Sequence, residues 1–332
     1  MSERLVAESW DWLDLLDSPY NEESWYVDQL IPEDGRVMIE APQESFKSTF
    51  TQQLAICVAT GTDFLGLHVD KPRKVLYLQS EGDLHDSVLR GKAMHLWLPR
   101  PERGMMAWDF LLRKKINTRA GYQALRELCE QHALQDGVLF IDPVYKTVRG
   151  SMKEDDVVGE WTDNIDFACH EFHLTCVAVH HEVRPTIDMM GAPTRTGAGE
   201  RMYGSAVWQY WTSYGYQLRR AAGRGKSVTM TCWKNRRPTV FDGHPLALTV
   251  VEPHPFGLEV AEAGVTSTMA TIRALLRIGG EWLTKPEIAE RMGLSLAPVQ
   301  QAVESLVTME HLVEDDGRPR KYHVKAAHDA KS

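Results

Sequence analysis

The sequence predicts an α/β protein with a large first domain on a mostly parallel sheet and a small winged helix-turn-helix domain at the end. Two patterns predict this architecture. Between Arg36 and His181, short apolar runs alternate with longer amphipathic stretches, which is typical of parallel strands covered by helices on both faces. From Thr266 onwards, three helical segments and a hairpin replace this alternation.

The apolar runs place the elements of the first domain in order. The parallel strands are RVMIEA, KVLYLQS, VLFID and TCVAVHH, with helices near 47–60, 83–97, 121–135 and 161–172. Three further strand-like runs follow, YGYQLRR, SVTMTCWKN and PLALTVV. Between 182 and 203 lies a long loop with three Gly and two Pro, and loops of this kind are typically functional or mobile.

The same patterns predict the domain boundaries. We assign residues 1–24 to an N-terminal arm, 25–252 to the α/β domain, 253–265 to a linker, 266–325 to the winged domain and 326–332 to a tail. Pro253, Pro255 and two Gly indicate the linker. Thr284 followed by Glu287, with Pro286 between them, predicts a helix start in the last domain.

Composition excludes several classes of protein. The five scattered cysteines include no CxxC pair, which argues against a disulfide framework and a structural zinc site. The N-terminus is acidic, and no apolar run reaches the roughly 18 residues that span a bilayer, so we expect a cytoplasmic protein without a membrane partner. The formal net charge of −9 means that contact with nucleic acid requires a local basic patch.

A segment after the first strand is similar to the phosphate-binding loop GxxxxGK(S/T), whose backbone N–H groups surround phosphates while the Lys reaches their β and γ oxygens. Ala41 and Phe46 occupy the two Gly positions, and Phe46 puts a Cβ where the loop favours unusual backbone angles. The residues that would surround the phosphates are Ala41, Pro42, Gln43, Glu44, Ser45, Phe46, Lys47, Ser48 and Thr49. The alternative is a strand and an amphipathic helix with an exposed Lys47.

Two carboxylates follow other predicted strands. Asp142 ends VLFID, and open α/β sheets bind ligands at the carboxyl ends of their strands, so we expect Asp142 and the Ser48 hydroxyl to hold Mg²⁺. Glu81 follows KVLYLQS, where a carboxylate would orient and deprotonate an attacking water. The alternatives are that Asp142 only starts a turn before Pro143 and that Glu81 is a surface residue of an acidic turn.

This ordered set of segments resembles the RecA-like hexameric ATPases, especially the RepA-like and DnaB-like replicative helicases. The resemblance covers about residues 25 to 250, and in that group the catalytic Glu follows the second core strand, as Glu81 does. It implies an ATPase that uses ATP and Mg²⁺ and assembles into a homo-oligomer, a hexameric ring. It also implies action on single-stranded or duplex DNA, with other replication proteins as partners.

The same resemblance implies roles for four further side chains. His180 and His181 end the strand where such proteins keep a polar sensor that faces the γ-phosphate. Lys234 and Arg236 match the KxR pattern with which a DnaB-like subunit reaches its neighbour's nucleotide, which ties hydrolysis to assembly. The alternatives are a structural pair of histidines and a solvated basic turn.

Basic residues in two loops and in the wing are candidate DNA contacts. In a ring of this family, such loops follow a single strand through its phosphates. The candidates are Arg149, Lys153, Arg184, Arg195 and Arg201 in the loops, and Arg318, Arg320 and Lys321 in the wing. Residues 296–311, the third helix of the last domain, contain no Lys or Arg, so DNA binding and protein docking both stay open for this domain.

Two functions remain open from the sequence. The first is an ATP-dependent DNA motor, a ring-forming helicase or a helicase-related ATPase of a mobile element or phage. The second is a nucleotide-responsive DNA-binding regulator, or an ATPase that loads a partner without unwinding DNA. Ala41 and Phe46 favour the second reading, whereas Glu81, Asp142 and the pair Lys234 and Arg236 favour the first.

Overall fold

The computed structural model describes residues 11–13, 24–110, 114–182, 202–220, 226–237, 239–252, 256–262, 265–279 and 281–325. Most of the predicted N-terminal arm, the tail 326–332 and the loop residues Arg184, Arg195 and Arg201 lie outside this part of the chain. No helix in the described part combines the length and the apolar character needed to cross a membrane.

Within the described residues, a nine-stranded sheet forms the centre of the α/β domain. Its strands are β3 (Arg36–Ala41), β4 (Val75–Gln79), β5 (Met106–Asp109), β6 (Val138–Asp142), β7 (Thr175–His181), β8 (Tyr214–Arg220), β9 (Ser227–Lys234), β10 (Leu246–Val251) and β11 (Gly257–Val260). They lie in the order β11-β10-β9-β8-β3-β7-β6-β4-β5. The strands from β8 to β5 are parallel, and β9, β10 and β11 extend one side antiparallel. This confirms the predicted α/β fold with a mostly parallel core sheet.

A short hairpin leads into the sheet, and helices cover both of its faces. The hairpin is β1 (Trp25–Val27) and β2 (Ile31–Pro32), and the helices are α1 (Lys47–Thr60), α2 (Leu84–Met94), α3 (Arg119–Gln131), α4 (Asp155–Phe172) and α5 (Val207–Trp211). Because side chains alternate along a strand, Val37 and Ile39 pack in one core with α1, whereas Met38 packs in the other with α4. The carboxyl ends of β3, β4, β6 and β7 meet at one edge between these layers.

Two strands of the nine-stranded sheet, β5 and β11, lie where the sequence predicts none. All four residues of β5 are only partly buried, so this edge strand lacks the buried apolar run that marks the central strands. β11 lies inside the predicted linker 253–265, and the linker prediction is wrong for this segment. β11 pairs with β10 from Val260 opposite Leu248 to Gly257 opposite Val251, and this pairing depends on contacts distant in sequence.

Gln53 joins α1 to β11. Its side-chain amide donates to the carbonyl oxygen of Leu258 at 2.9 Å and accepts from the Leu258 backbone N–H at 2.7 Å. The Trp97 indole donates to the carbonyl oxygen of Phe256 at 2.8 Å. A Cβ at Gly257 would lie 2.4 Å from the Trp97 ring, so only Gly allows this close approach. Buried polar contacts therefore fix the helix and the strand to each other.

The C-terminal unit, residues 266–325, has its own small core. Its elements are α6 (Ser267–Gly279), β12 (Leu283–Thr284), α7 (Lys285–Met292), α8 (Leu296–Thr308), β13 (Leu312–Glu314) and β14 (Lys321–Val324), and its strands lie in the order β12-β14-β13. Ile272, Ile288 and Val303 bring the three helices together in this core. Thr284 and Glu287 form a reciprocal capping box at the start of α7, which confirms the capping signature.

An ion-pair cluster around the buried residues Arg273 and Glu259 joins the C-terminal unit to the main sheet. The Arg273 guanidinium on α6 lies 2.6 Å from a carboxylate oxygen of Glu262 and 3.3 Å from one of Glu259, the residue after Leu258 on β11. Arg277 reaches the other oxygen of Glu259 at 3.5 Å. Breaking one partner of such a pair leaves an uncompensated buried charge, so the cluster sets the docking position of α6.

Candidate active site

The carboxyl ends of β3, β4, β6 and β7 surround a cavity of about 310 Å³. Its lining residues are Gln43, Glu44, Lys47, Ser48, Gln79, Glu81, Gly82, Asp83, Asp86, Ser87, Arg90, Asp142 and His181. Seven of these residues were predicted from the sequence, and the structure brings them to this one cavity: Gln43, Glu44, Lys47, Ser48, Glu81, Asp142 and His181. The carboxyl edge of a parallel sheet is where open α/β folds bind their ligands.

The loop between β3 and α1 delivers an uncapped helix N-terminus to the cavity. Phe46 is the N-cap of α1, and no side chain caps the helix there. The first N–H groups of the helix are therefore available to donate hydrogen bonds to an anion. Glu44 and Phe46 both adopt left-handed conformations, with φ of 60° and 63°. For Phe46, this is the unusual backbone angle expected where the loop pattern has Gly. The Ser45 hydroxyl donates to the carbonyl oxygen of Pro42 at 2.7 Å and closes the loop.

Lys47 places its ammonium group beside two carboxylates. Burial lowers the pKa of Lys47, and the nearby Asp142 and Glu81 oppose that shift. At neutral pH an ammonium group in this position stabilises anionic oxygens in the cavity. The uncapped helix end and Lys47 together fit the phosphates of a nucleotide.

Asp142 is fully buried behind Lys47 and held by two hydroxyl groups. The Tyr77 hydroxyl donates to one carboxylate oxygen at 2.8 Å and lies 2.8 Å from the Thr51 hydroxyl, while the Ser48 hydroxyl also bonds to Asp142. Burial raises the pKa of Asp142, and the hydrogen bonds from Tyr77 and Ser48, with the charge of Lys47, oppose that shift. A carboxylate beside a hydroxyl is the oxygen donor set that Mg²⁺ prefers, so these residues fit the predicted metal.

Glu81 follows β4 and faces the cavity with its carboxylate half exposed. The Tyr145 hydroxyl donates to Glu81 Oε1 at 2.9 Å, and His181 Nε2 lies 3.5 Å from Glu81 Oε2. Burial and the nearby Lys47 lower the pKa of His181, and Glu81 opposes that shift. A neutral imidazole at this place can both donate and accept a hydrogen bond.

His180 does not share the position of His181, and the prediction that both histidines face the phosphate is wrong for His180. Its ring is buried against Trp208, with centroids 5.3 Å apart, and its Nδ1 lies 2.9 Å from the His181 carbonyl oxygen. Burial lowers the pKa of His180 to about 4. The physical reason is strand alternation, which turns successive side chains of β7 to opposite faces.

Arg90 is a cavity residue that the sequence reasoning missed. It lies on α2, whose N-cap Asp83 accepts a hydrogen bond from the His85 backbone N–H at 2.9 Å. Asp83, Asp86, Ser87 and Arg90 all line the cavity. Their spacing of three, four and seven residues places them on one helix face, which was the available signal. Tyr77 carried no comparable signal.

Lys234 and Arg236 lie away from this cavity. Lys234 pairs with Gly215 across β8 and β9, and Gly215 is level with Met38, so β9 ends towards the amino edge of the parallel strands. The Lys234 ammonium donates to the carbonyl oxygens of Gln209 and Tyr210 at the end of α5. Burial and the nearby Arg236 lower the pKa of Lys234. Neither residue reaches the cavity of its own chain.

The described DNA candidates fall in two places. In the loop after β6, the Arg149 backbone is fixed by two hydrogen bonds with the Asn117 side chain, at 2.7 and 2.8 Å, and the Lys153 ammonium lies 5.7 Å from the Tyr203 ring centroid. In the C-terminal unit, the exposed Arg318 and Arg320 lie between β13 and β14, and the exposed Lys321 is the first residue of β14. Arg320 pairs with Glu314 at 2.8 Å.

Comparison with known proteins gives one family and two similar solved structures. A family model described as an AAA domain matches residues 2–185. The crystal structure of a KaiC-like protein from the hyperthermophilic archaeon Pyrococcus horikoshii OT3 is similar with a TM-score of 0.46 and 12% identity, over 70% of this chain and 91% of that chain. The crystal structure of the RadB recombinase is similar with a TM-score of 0.46 and 13% identity, over 69% of this chain and 92% of that chain. No curated protein matches the chain.

Proposed function

This chain belongs to the AAA-domain family, and from that premise we propose that it is an ATP-hydrolysing motor that acts on DNA. One observation carries the proposal: Lys47, the Ser48 and Asp142 pair, and Glu81 converge on one cavity at an uncapped helix N-terminus. Phosphoryl transfer requires a cation at the phosphates, a metal site and a group that positions water, and these residues supply all three.

Each residue has a distinct task in the proposed reaction. The first N–H groups of α1 and the Lys47 ammonium bind the β and γ phosphates, while Asp142 and the Ser48 hydroxyl would hold Mg²⁺. Bound Mg²⁺ would neutralise charge that develops on the phosphate oxygens. Glu81 orients the attacking water and accepts its proton. Arg90 and His181 line the same cavity and add donors to the phosphate oxygens.

The test is ATP hydrolysis by wild type, Lys47→Ala and Glu81→Gln, with and without single-stranded DNA. We expect Lys47→Ala to lose ATP binding and hydrolysis together. Glu81→Gln is expected to keep ATP binding while its kcat falls by about 100-fold or more, since the amide cannot accept the proton. Lys92→Ala changes an exposed lysine of α2 and is the matched control. Wild-type turnover no faster than that of Lys47→Ala in every condition would exclude the motor.

The finer proposal is a ring-forming helicase or helicase-related ATPase of the RepA-like and DnaB-like type. Its support is the position of Lys234 and Arg236 at the edge opposite the cavity, where they can reach only another subunit's nucleotide. We further propose that the C-terminal unit is a winged helix, since its helices and hairpin follow the order of that motif. DNA at Arg149 and Lys153 would be bound through its phosphates.

One observation favours a second function, a nucleotide-responsive regulator that does not turn over ATP. Phe46 holds a left-handed conformation in the loop that must surround the phosphates, which only Gly adopts without strain. The Lys47→Ala comparison separates the two functions. A regulator would bind ATP through Lys47 and change its DNA affinity, with no hydrolysis above that of Lys47→Ala.

A further inference from the structure

Tyr145 contacts Glu81 from a turn that the proposed reaction does not otherwise use. This 3₁₀ turn, Val144–Thr147, follows β6 directly. The Tyr145 hydroxyl donates to Glu81 Oε1 at 2.9 Å, and the Tyr145 ring packs edge-on against His181 with centroids 5.0 Å apart. Burial and the neighbouring Glu81 raise the pKa of Tyr145 to about 12, so the hydroxyl stays protonated and keeps donating at neutral pH.

The bond from Tyr145 occupies the oxygen that a general base needs. A carboxylate oxygen that already accepts a hydrogen bond from a phenol is a weaker acceptor for a proton from water. The second oxygen of Glu81 faces His181 Nε2 at 3.5 Å. Both oxygens of the carboxylate therefore have a side-chain neighbour in the same chain, Tyr145 at Oε1 and His181 at Oε2.

The same turn carries Lys146, and Lys115 lies beside it. The Lys146 ammonium lies 5.1 Å from the Tyr145 ring centroid, and the Lys115 ammonium donates to the Lys146 carbonyl oxygen. Burial and the charge of Lys146 lower the pKa of Lys115. Among the described residues, neither lysine makes a salt bridge with a carboxylate. Two adjacent cations beside a partly exposed aromatic ring suit a phosphate backbone whose base stacks on the ring.

We propose that Tyr145 is a positioning residue through which a single strand of nucleic acid, bound at Lys115 and Lys146, controls the Glu81 carboxylate. Without the strand, the Tyr145 hydroxyl holds Glu81 Oε1 and slows hydrolysis. With the strand bound, Tyr145 turns towards a base and leaves Oε1 free for the attacking water. The inference rests on the proposed ATPase function and adds a regulator to that same site.

The experiment compares the steady-state kcat and KM for ATP of wild type and Tyr145→Phe, with and without oligo(dT). Phe keeps the ring contact with His181 and removes only the hydroxyl donor. We expect kcat without DNA to rise about tenfold in Tyr145→Phe, the usual effect of losing one hydrogen bond to a charged group, with KM unchanged. The acceleration by DNA then falls to nearly none. Tyr122→Phe, on α3 and away from the cavity, is the control and should match wild type.

A double variant, Lys115→Gln with Lys146→Gln, tests whether these two lysines bind the strand. It should require a higher concentration of oligo(dT) for half-maximal acceleration, and this difference should shrink as salt rises. Wild type that hydrolyses ATP but is not accelerated by DNA would overturn the inference. The inference would also be overturned if Tyr145→Phe had the same ratio of kcat with DNA to kcat without DNA as wild type, or a lower kcat without DNA. In these cases the ATPase function stands, whereas it falls only if wild type matches Lys47→Ala.

Discussion

Phe46 combines a left-handed backbone with an aromatic side chain. Its φ is 63° and its ψ is 19°, and its ring packs at the border of the core beneath α1. The Arg220 guanidinium at the end of β8 lies 5.6 Å from the ring centroid. A Cβ in this conformation costs about 1 kcal/mol or more, while burial of the ring offsets part of that cost. At Phe46, the strain in the backbone is therefore partly offset by the packing of the ring beside the phosphate site.

A pair of substitutions at residue 46 separates these two effects. Both Phe46→Ala and Phe46→Gly lose the ring, but only Gly relieves the backbone, so we expect Phe46→Gly to be the more stable variant by about 1 kcal/mol. Urea unfolding measures the difference. At Glu127, exposed in the middle of α3, the order should reverse, because Ala is the better helix former there. Equal stability of Phe46→Ala and Phe46→Gly would contradict the proposed backbone strain at residue 46.

At the scale of elements, α1 serves two partners. Its N-terminus faces the cavity, and Gln53 near its middle binds both backbone groups of Leu258 on β11. Backbone groups buried without partners are costly. The amide of Gln53 supplies Leu258 with the two hydrogen bonds that a neighbouring strand would otherwise make at this edge of the sheet. The sheet edge and the phosphate loop are thus fixed to one helix.

Replacing Gln53 by Leu keeps the volume and removes both hydrogen bonds. We expect Gln53→Leu to lower the free energy of unfolding by about 2 to 3 kcal/mol, because the N–H and the carbonyl of Leu258 stay buried without partners. Gln52→Leu is the matched control, since Gln52 makes one long bond, 3.3 Å to the Ser87 carbonyl oxygen, and should cost less. Hydrogen exchange at Leu258 should speed up only in Gln53→Leu. A smaller loss than in Gln52→Leu would contradict this account.

The elements also show what the sequence could and could not reveal. Central strands such as β6 are buried on both faces, so their apolar runs are visible in the sequence. β11 is not visible, because its place depends on Gln53, about 200 positions earlier in the chain. In the cavity, local motifs located Lys47 and Asp142, whereas the separation of His180 from His181 required the register of β7. The hydrogen bond from Tyr145 to Glu81 is visible only in the structure.

At the scale of the whole molecule, the two groups of candidate catalytic cations lie at opposite edges of the parallel strands. Lys47 and Arg90 line the cavity at the carboxyl edge, while β9 carries Lys234 and Arg236 towards the amino edge. A single chain cannot bring the two groups together. Our proposal of a ring therefore predicts that each complete site uses residues of two subunits.

Subunit mixing tests that proposal. We expect Arg236→Ala to bind ATP but hydrolyse it poorly, because the charge on the transferred phosphoryl group is no longer neutralised across the boundary. Mixing it with inactive Lys47→Ala subunits should restore part of the activity, since some boundaries then combine an intact Lys47 with an intact Arg236. Arg100→Ala, at an exposed position, is the control. No gain on mixing, or no oligomer at any concentration or nucleotide state, would contradict the prediction.

The contacts of β11 restrict how this architecture can be recombined. Leu258 binds the phosphate-loop helix through Gln53, and the next residue, Glu259, binds Arg273 of the C-terminal unit. An exchange of the C-terminal unit between relatives at a junction before β11 would replace the strand on which the nucleotide-binding helix depends. A junction after Glu262 would instead separate Arg273 from both of its carboxylates. The C-terminal unit is therefore not an interchangeable module, and a viable chimera must take β11 and α6 from the same parent while keeping a glutamine at the position of Gln53.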